Sequence, residues 1–326
     1  MSEIKIHYPV VIPTLNRYEH LKRCIGSLAK NTGAEETELI VGLDYPPSEK
    51  YQEGYAKIKE YLPSVKGFKN VIILEADKNL GAVENSKKIR RYAQYLGYEA
   101  YIYTEDDNEF SPNFLEYINW ALVTFKNDKS INSICGYNLI NSDFLENNVY
   151  KYNHGFCAWG CGRWFDRIDK EKQYFSLENL RRIVDEASIK CIFSKRVMLF
   201  SSLLYMIKHK ELLGDTVIQV IPDEERYCIF PKISKVRNYG HDGSGLHGGS
   251  KESYQRHINE IIDAERSFIP QISGELHTDE IDLAYDRKYK IEKIPRLLAM
   301  IKFIIYRLSG KIFDFRKPKF LKKIRF

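Results

Sequence analysis

Three adjacent acidic residues lie directly after a short apolar run, in the stretch Tyr101-Ile-Tyr-Thr-Glu105-Asp106-Asp107. Neighbouring carboxylates repel one another, so a fold tolerates them only where a cation or solvent compensates their charge. Mg²⁺ and Mn²⁺ prefer oxygen ligands and commonly take one or two carboxylates together with substrate phosphates. The triplet therefore predicts a divalent metal site that handles phosphate groups. The alternative is a solvated acidic turn or a helix N-terminus, which acidic residues also favour.

Apolar runs alternate with segments of helical apolar spacing through the first third of the chain. The runs are 8–12, 38–43, 71–74 and 100–103, and the helical segments are 18–30, 52–62 and 83–96. This alternation predicts a doubly wound α/β sheet of mostly parallel strands, whose ligands bind beyond the carboxyl ends of the strands. Pro13 follows the first run, and we expect it to end the first strand. Polar or glycine residues then follow the four runs in turn: Thr14 and Arg17, Asp44, Asn79 and Gly81, and the triplet.

Each of these strand-end residues has a structural alternative. Thr14 and Arg17 are placed to meet a nucleotide, but Thr14 or Asn16 also suits the cap of the next helix. Asp44 is placed to accept a hydrogen bond from a uracil N–H group, but an Asp before Pro46 is also an ordinary turn residue. Convergence on one sheet edge favours the functional interpretation of the set.

Two later segments are rich in glycine. Trp159 and Gly160 lie in an aromatic–glycine stretch, where Trp159 suits stacking on an acceptor sugar or simply the core. The loop 240–249 suits a mobile lid in which His247 or His241 contacts the diphosphate or the metal. The alternative is a flexible surface loop with incidental histidines.

A family resemblance now connects these motifs. Residues 9–17, Leu43-Asp44, Asn79-Leu-Gly81 and the triplet resemble the GT-A nucleotide-sugar glycosyltransferases. The triplet with 110–117, and 228–234 with 239–248, is similar to the animal N-acetylglucosaminyltransferase I family. The Trp-Gly stretch 156–167 is similar to bacterial glycosyltransferases that build surface polysaccharide.

The resemblance implies a fold, a donor and residue roles. It implies a GT-A fold, a Rossmann-like mixed, mostly parallel sheet flanked by helices, and favours a UDP-sugar donor. Asp107 is the implied ligand of Mn²⁺ or Mg²⁺, Glu105 and Asp106 face the donor, and Asp44 holds the uracil. Asp215, 13 residues before Cys228, takes the place of the catalytic base. Its neighbours Gly214 and Thr216 depart from the family, which leaves Asp223, Glu224 and Glu225 as competitors.

These roles describe an inverting transfer. The metal neutralises the leaving diphosphate, and a carboxylate removes the proton of the attacking acceptor hydroxyl. A phosphate loop and a Ser-His-Asp signature are missing from the sequence, which disfavours kinase and hydrolase functions. Two alternatives stay open: a nucleotidyltransferase that makes the nucleotide sugar, and an inactive sugar- or membrane-binding protein that keeps the fold.

Charge is distributed unevenly along the chain of 326 residues. Residues 285–326 carry 14 Lys/Arg and three acids, a net charge of +11, whereas the whole chain carries +6. With apolar residues at helical spacing, this tail predicts an interfacial helix on an anionic membrane; a helix packed on the body is the alternative. Nothing else resembles a nucleic-acid module, so we expect no nucleic-acid partner.

The expected organisation is a catalytic domain over 1–265, made of a nucleotide-binding half (1–108) and an acceptor and catalytic half (109–265). A basic amphipathic tail, 266–326, follows. The first residues are too charged for the apolar core of a secretory signal, so we expect no such signal. The sequence has no apolar run long enough to span a membrane, so we expect no spanning helix. The six scattered cysteines fit a reduced cytosolic protein better than a zinc site. We therefore expect a cytoplasmic protein, peripheral on the inner face of the plasma membrane, that acts on a glycan or a lipid-linked acceptor.

Overall fold

The computed structural model describes residues 6–153, 155–171, 175–188, 196–210, 212, 217–218, 226–245, 250–288 and 293–312. The described part of the chain divides into two compact units. The first takes its residues from 1–170 and 224–288, and the second from 171–223 and 289–326. The second unit thus interrupts the first in sequence. The domain boundary at residue 265 stays a prediction.

Ten strands and ten α-helices are present in the described residues. The strands are β1 (Val10–Thr14), β2 (Glu38–Leu43), β3 (Asn70–Glu75), β4 (Ala100–Tyr103), β5 (Asn108–Phe110), β6 (Ile131–Cys135), β7 (Val149–Tyr152), β8 (Cys161–Trp164), β9 (Tyr227–Pro231) and β10 (Val236–Asn238). The helices are α1 (Tyr18–Leu28), α2 (Gln52–Tyr61), α3 (Gly81–Tyr95), α4 (Phe114–Thr124), α5 (Phe165–Glu171), α6 (Leu177–Glu186), α7 (Arg196–His209), α8 (Lys251–Ile258), α9 (Asp279–Lys288) and α10 (Lys293–Ser309).

Eight of the described strands form one mixed sheet in the order β3-β2-β1-β4-β8-β6-β9-β7. Strands β3, β2, β1 and β4 are parallel, as strand–helix alternation requires. Strand β8 is antiparallel to both of its neighbours, β6 and β9 are parallel, and β7 is antiparallel to β9. The mostly parallel α/β sheet expected from the sequence is therefore confirmed.

The parallel half of the sheet is fastened to α3 by a small apolar cluster. Val11, Ile40 and Tyr101 from three strands pack with Ile89 and Ala93 of α3, and all five side chains are buried. Burial of a large apolar side chain contributes about 1.5–3 kcal/mol, so the order and the pairing register of these strands are strongly specified. Their carboxyl ends consequently meet at one edge of the sheet.

The first strand continues two residues beyond the end predicted from the sequence. Pro13 pairs with Gly42 inside β1, rather than ending the strand. The carbonyls of Pro9 and Val11 accept hydrogen bonds from the β4 side, at Ile102 and Thr104. Pro13 is the next residue that faces this side, and β4 has already ended there, so its missing N–H leaves no partner unsatisfied.

A two-stranded antiparallel sheet, β5 with β10, was not anticipated from the sequence. Asn108 pairs with Asn238, and Phe110 pairs with Val236. Strand β5 directly follows the acidic triplet, and β10 directly precedes the glycine-rich loop. Their pairing therefore carries that loop to the triplet across about 130 residues of sequence.

The second unit is helical in its described residues. Phe303 and Tyr306 of α10 are buried among side chains of α6 and α7, including Val184 and Leu203. The Tyr306 hydroxyl donates to Asp185 Oδ1 at 2.8 Å, and burial and this partner raise the pKa of Tyr306 to about 12. The apolar stripe of α10 is thus packed against other helices. No described helix has the length and apolar character needed to cross a membrane.

Candidate active site

Asp106 and Asp107, the carboxylate pair, lie between β4 and β5 at the carboxyl edge of the parallel strands. Only 3% of Asp106 and 6% of Asp107 is exposed. The hydroxyl of Thr14, the last residue of β1, donates to Asp106 Oδ2 at 2.7 Å. The side-chain amide of Asn238, the last residue of β10, donates to Asp107 Oδ1 at 2.9 Å. Both sheets therefore position the pair.

Arg17 bridges the two carboxylates from the start of α1. Its Nη1 lies 2.8 Å from Asp107 Oδ2, and its Nη2 forms an ion pair with Asp106 Oδ1. Burial raises the pKa of the Asp106 carboxyl and the neighbouring Asp107 adds to this, while the Arg17 guanidinium opposes it. Burial also disfavours the guanidinium, but the two carboxylates hold the pKa of Arg17 above its usual value. A permanent cation thus compensates two buried anions.

Asp44 organises the loop that begins α3. Its Oδ1 accepts hydrogen bonds from the backbone N–H groups of Tyr45 (2.9 Å) and Leu80 (2.8 Å). Its Oδ2 accepts from the backbone N–H of Gly81 (2.9 Å) and the side-chain amide of Asn79 (3.2 Å). A carboxylate offers about four acceptor positions, so all of them are occupied. Asp44 therefore acts as a tertiary cap on the N-terminus of α3.

Gly81 has a conformational reason to be glycine. Its φ of +77° lies in the left-handed region, which side chains with a Cβ rarely adopt. This backbone conformation turns two successive N–H groups toward Asp44. The predicted donor residues Asn79 and Gly81 are thus brought together with Asp44, and all three stand next to the strand ends.

The covering loop, residues 239–245, lies directly on the carboxylate pair. The Tyr239 backbone N–H donates to the Asp107 carbonyl at 2.8 Å, and a Cβ added to Gly240 would lie 2.1 Å from Asp107 Oδ2. Farther along, His20 Nε2 of α1 lies 2.9 Å from Asp242 Oδ2. The predicted approach of this glycine-rich segment to the triplet is therefore present in the described residues.

Trp159 belongs to an aromatic–histidine cluster with Tyr137, His241 and His257. The Trp159 ring makes edge contacts with Tyr137 at 5.1 Å, with His257 at 5.0 Å and with His241 at 5.8 Å, and the two imidazoles stack at 4.3 Å. Burial lowers the pKa of His257 to about 4, and His241 and two basic side chains add to the effect. Burial also lowers the pKa of His241, against the field of Asp107. Both imidazoles are therefore neutral at pH 7.

The remaining predicted site residues are placed differently. Glu105 is half-buried and makes an interaction of its own. Gly160 is buried with a φ of +63°, and an added Cβ would meet the rings of Phe110 and Phe114 within 3 Å. Gly160 therefore turns the chain beneath Trp159. Five predicted residues lie outside the described part of the chain: Asp215, Asp223, Glu224, Glu225 and His247.

Two contributors escaped the sequence analysis. Asn238 reaches Asp107 only because β10 pairs with β5, and a single Asn after Lys235-Val236-Arg237 gives no signal of this. His257 lies on α8, whose sequence is polar and shows no motif. Its proximity to Trp159 depends on tertiary contacts alone.

The carboxylate pair fits a divalent cation. Its ligands are hard oxygens, two carboxylates stand side by side in a nearly buried position, and the single positive charge of the Arg17 guanidinium offsets only one of their two negative charges. The described residues contain no cluster of three or more His, Cys, Asp or Glu arranged around a metal position. One or two carboxylates are the usual protein contribution where phosphates complete the shell.

Comparison with known protein families gives a match that covers this site. Residues 10–168 match the model of Glycosyl transferase family 2, a range that includes β1 to β4, Arg17, Asp44, the carboxylate pair and Trp159. No curated protein sequence matched the chain significantly.

Several solved structures also match the chain. They include S. aureus TarS (14% identity, 63% of this chain and 41% of that one, TM-score 0.36). The apo structure of the bifunctional glycosyltransferase WbbM matches with 11% identity, 54% and 35% coverage and a TM-score of 0.32. Mouse xyloside xylosyltransferase 1 matches with 11% identity, 56% and 76% coverage and a TM-score of 0.34. The match spans less than half of TarS. The family match over residues 10–168 supports the resemblance to GT-A glycosyltransferases seen in the sequence, and it covers just under half of the chain.

Proposed function

We propose that the protein transfers a sugar from a UDP-sugar to a glycan or lipid-linked acceptor, with inversion at the anomeric carbon. The observation that carries the proposal is the buried carboxylate pair bridged by Arg17, at the carboxyl edge of the parallel strands of a family 2 domain. Two anions held together at this edge are suited to a cation and a diphosphate.

We assign Asp107 as the ligand of Mn²⁺ or Mg²⁺. The ion, when bound, stabilises the negative charge of the departing diphosphate. The Thr14 hydroxyl orients the Asp106 carboxylate, and the Asn238 amide orients the Asp107 carboxylate. The protein's own contribution is therefore to keep two carboxylates close together in a place from which water is largely excluded.

The nucleoside is assigned to the strand ends on the β2 side. Pro13, Arg17, Asn79, Gly81 and Glu105 are assigned to the donor as well. Asp44 is assigned to the uracil, and because all of its acceptor positions are filled by the α3 loop, contact with a base requires exchange of one of these hydrogen bonds. Asn79, whose amide also donates to the Tyr45 carbonyl at 2.7 Å, is the partner that can leave at the lowest cost.

The acceptor is assigned to the face that Trp159 and Gly160 form. The partly exposed indole has an apolar surface on which a sugar ring can stack, and the two neutral imidazoles of the aromatic–histidine cluster offer hydrogen-bonding groups without charge. His247 is assigned to the diphosphate. Asp215, or one of Asp223, Glu224 and Glu225, takes the proton of the acceptor hydroxyl as its oxygen attacks, and no covalent enzyme intermediate is required.

We also propose a place for the protein in the cell. Residues 285–326, with a net charge of +11, bind the anionic cytoplasmic face of a bacterial plasma membrane, where surface polysaccharide is built. The exposed Leu297 and Leu308, 54% and 84% accessible, flank the packed stripe of α10. Cosedimentation should occur with phosphatidylglycerol vesicles and be lost at high salt. Equal binding to phosphatidylcholine vesicles would contradict this proposal.

The decisive test is hydrolysis of UDP-sugars by the purified protein in the presence of Mn²⁺. The reaction is measured as the amount of UDP released. We expect Asp107→Ala to lose both the hydrolysis and the Mn²⁺-dependent rise in melting temperature that UDP induces. Asp166→Ala is the matched control, because Asp166 forms an exposed ion pair with Lys129 and lies in α5. Circular dichroism verifies that both variants are folded.

Two results would overturn the proposal. UDP release that survives Asp107→Ala would remove the metal site from the reaction. Release of pyrophosphate from UTP and a sugar 1-phosphate would instead assign the protein as a nucleotidyltransferase.

A further inference from the structure

All four oxygens of the carboxylate pair accept a hydrogen bond from the protein. Thr14 and Asn238 donate to one oxygen each, at 2.7 and 2.9 Å. Arg17 donates to the remaining two, one on each carboxylate. The guanidinium therefore occupies the position between Asp106 and Asp107, which is the position of highest negative potential that two adjacent carboxylates can create.

Arg17 differs from its two partners in its exposure. The side chains of Asp106 and Asp107 are 4% and 7% accessible, whereas that of Arg17 is 19% accessible. A Cβ added to Gly245 of the covering loop would lie 3.2 Å from Arg17 Nη1, so the loop passes close to the guanidinium. Arg17 consequently lies between the carboxylate pair and the covering loop and is more accessible than either carboxylate, whereas Thr14 and Asn238 hold the carboxylates from the protein side.

A guanidinium and a divalent ion cannot both occupy this place. Charges of like sign at contact distance repel strongly in a poorly solvated site, and a carboxylate oxygen that accepts from Arg17 has fewer positions left for a metal. A buried carboxylate pair without any cation is equally unfavourable. The site therefore requires one cation or the other.

We propose that Arg17 is a resident counter-cation that competes with the divalent ion for Asp106 and Asp107 and moves to the donor diphosphate when the nucleotide binds. The proposal rests on the metal role of Asp107 proposed above. Without the donor, Arg17 stabilises the pair and lowers its affinity for metal. With the donor, the diphosphate offers Arg17 a bidentate anionic partner and the carboxylates are released to the metal.

This exchange links the binding of metal and nucleotide. Because binding couplings are reciprocal, the nucleotide must raise the metal affinity by the same factor by which metal raises the nucleotide affinity. Part of that factor comes from direct contact between phosphates and metal. The part that depends on Arg17 should disappear when Arg17 is replaced.

The test uses Arg17→Ala, Arg17→Lys and the matched control Lys22→Ala in the full chain. Lys22 is an exposed basic residue of α1, and its ammonium lies 5.6 Å from the Tyr18 ring centroid rather than on the carboxylates. Mn²⁺ binding is measured from the electron paramagnetic resonance signal of the free ion, with and without UDP. UDP binding is measured by calorimetry at saturating Mn²⁺.

We expect effects of opposite sign on the two ligands. Without UDP, Arg17→Ala should bind Mn²⁺ about tenfold more tightly than the wild type, because close charge pairs in such sites couple by at least this factor. At saturating Mn²⁺ the same variant should bind UDP about tenfold more weakly. Arg17→Lys, which keeps the charge but loses the fork that spans both carboxylates, should be intermediate. Lys22→Ala should match the wild type.

The melting temperature gives a second readout that does not depend on the nucleotide. Arg17→Ala should melt below the wild type in EDTA and recover in Mn²⁺, since the metal replaces the lost cation. If Arg17→Ala does not fold, the same comparison is made with Arg17→Lys, which must show a larger Mn²⁺-induced rise than the wild type.

The possible failures are distinguishable. Mn²⁺ binding that is unchanged or weaker in both Arg17 variants would overturn the competition while leaving the metal site intact. A wild-type protein that binds no Mn²⁺, with or without UDP, would overturn the proposed metal role of Asp107 itself.

Discussion

Gly240 of the covering loop lies against Asp107, and Gly240→Ala is therefore an informative substitution. A Cβ at this position would lie 2.1 Å from Asp107 Oδ2, 2.8 Å from Asp107 Cγ and 3.4 Å from Asn238 Oδ1. Gly240 starts a short 3₁₀ turn and its φ is not positive, so alanine suits the backbone. The effect of the substitution is consequently steric.

The size of the effect depends on whether Asp107 can move. Its Oδ1 accepts from Asn238 and its Oδ2 from Arg17, so the carboxylate can yield only by breaking one of these bonds. Overpacking of this kind costs about 1–3 kcal/mol. We expect the free energy of unfolding to fall by about this amount, and Mn²⁺ binding to weaken with it, because the loop or the carboxylate is displaced.

The assay is urea unfolding monitored by circular dichroism, together with Mn²⁺ binding. Gly26→Ala is the matched control, since no atom lies within 4 Å of its added Cβ and it stands within α1. It should stabilise the protein by about 0.5–1 kcal/mol, the ordinary gain from replacing a helical glycine. A Gly240→Ala protein with wild-type stability and wild-type Mn²⁺ binding would refute the reasoning and show that the loop does not rest on Asp107 in solution.

Two further substitutions test the surroundings of the site. Asp44→Asn should lower the free energy of unfolding by about 1–3 kcal/mol in urea titrations, because an amide nitrogen would face N–H donors at Leu80 or Gly81; an unchanged midpoint would contradict the cap on α3. His257, with a pKa lowered from 6.5 to about 4 chiefly by burial, is neutral in the folded protein and binds a proton once unfolded. The wild type should therefore lose stability as pH falls from about 6.5 to 4, by at most about 3 kcal/mol, and His257→Gln should flatten this slope; an identical slope would assign it to other groups.

The elements of the first half of the site were predictable because they depend on local patterns. Glu38–Leu43 and Ala100–Tyr103 are strands with the predicted bounds, and α3 begins within two residues of its predicted start. Short apolar runs separated by amphipathic segments have few ways to bury their surface other than a parallel sheet. The approach of Thr14 and Arg17 to the acidic triplet followed from this topology.

Other features could not be predicted because distant segments decide them. The role of Asp44 as a cap depends on the N–H groups of Leu80 and Gly81, which a turn interpretation does not include. The apolar stripe of α10 suits a membrane and a helical core equally well, and the described helices α6 and α7 cover part of it.

The sequence by itself determined the strand–helix order, the residues at the strand ends and the family to which they are similar, because periodicity, turn residues and motif order are local properties of the chain. Only the tertiary structure decided which groups satisfy the buried carboxylates. Arg17 bridges both of them, Asn238 reaches Asp107 through the pairing of β5 with β10, and Gly240 closes over the same side chain. The physical reason is that a buried charge must be compensated by whatever the fold brings within hydrogen-bonding distance, and that distance is unrelated to separation along the sequence.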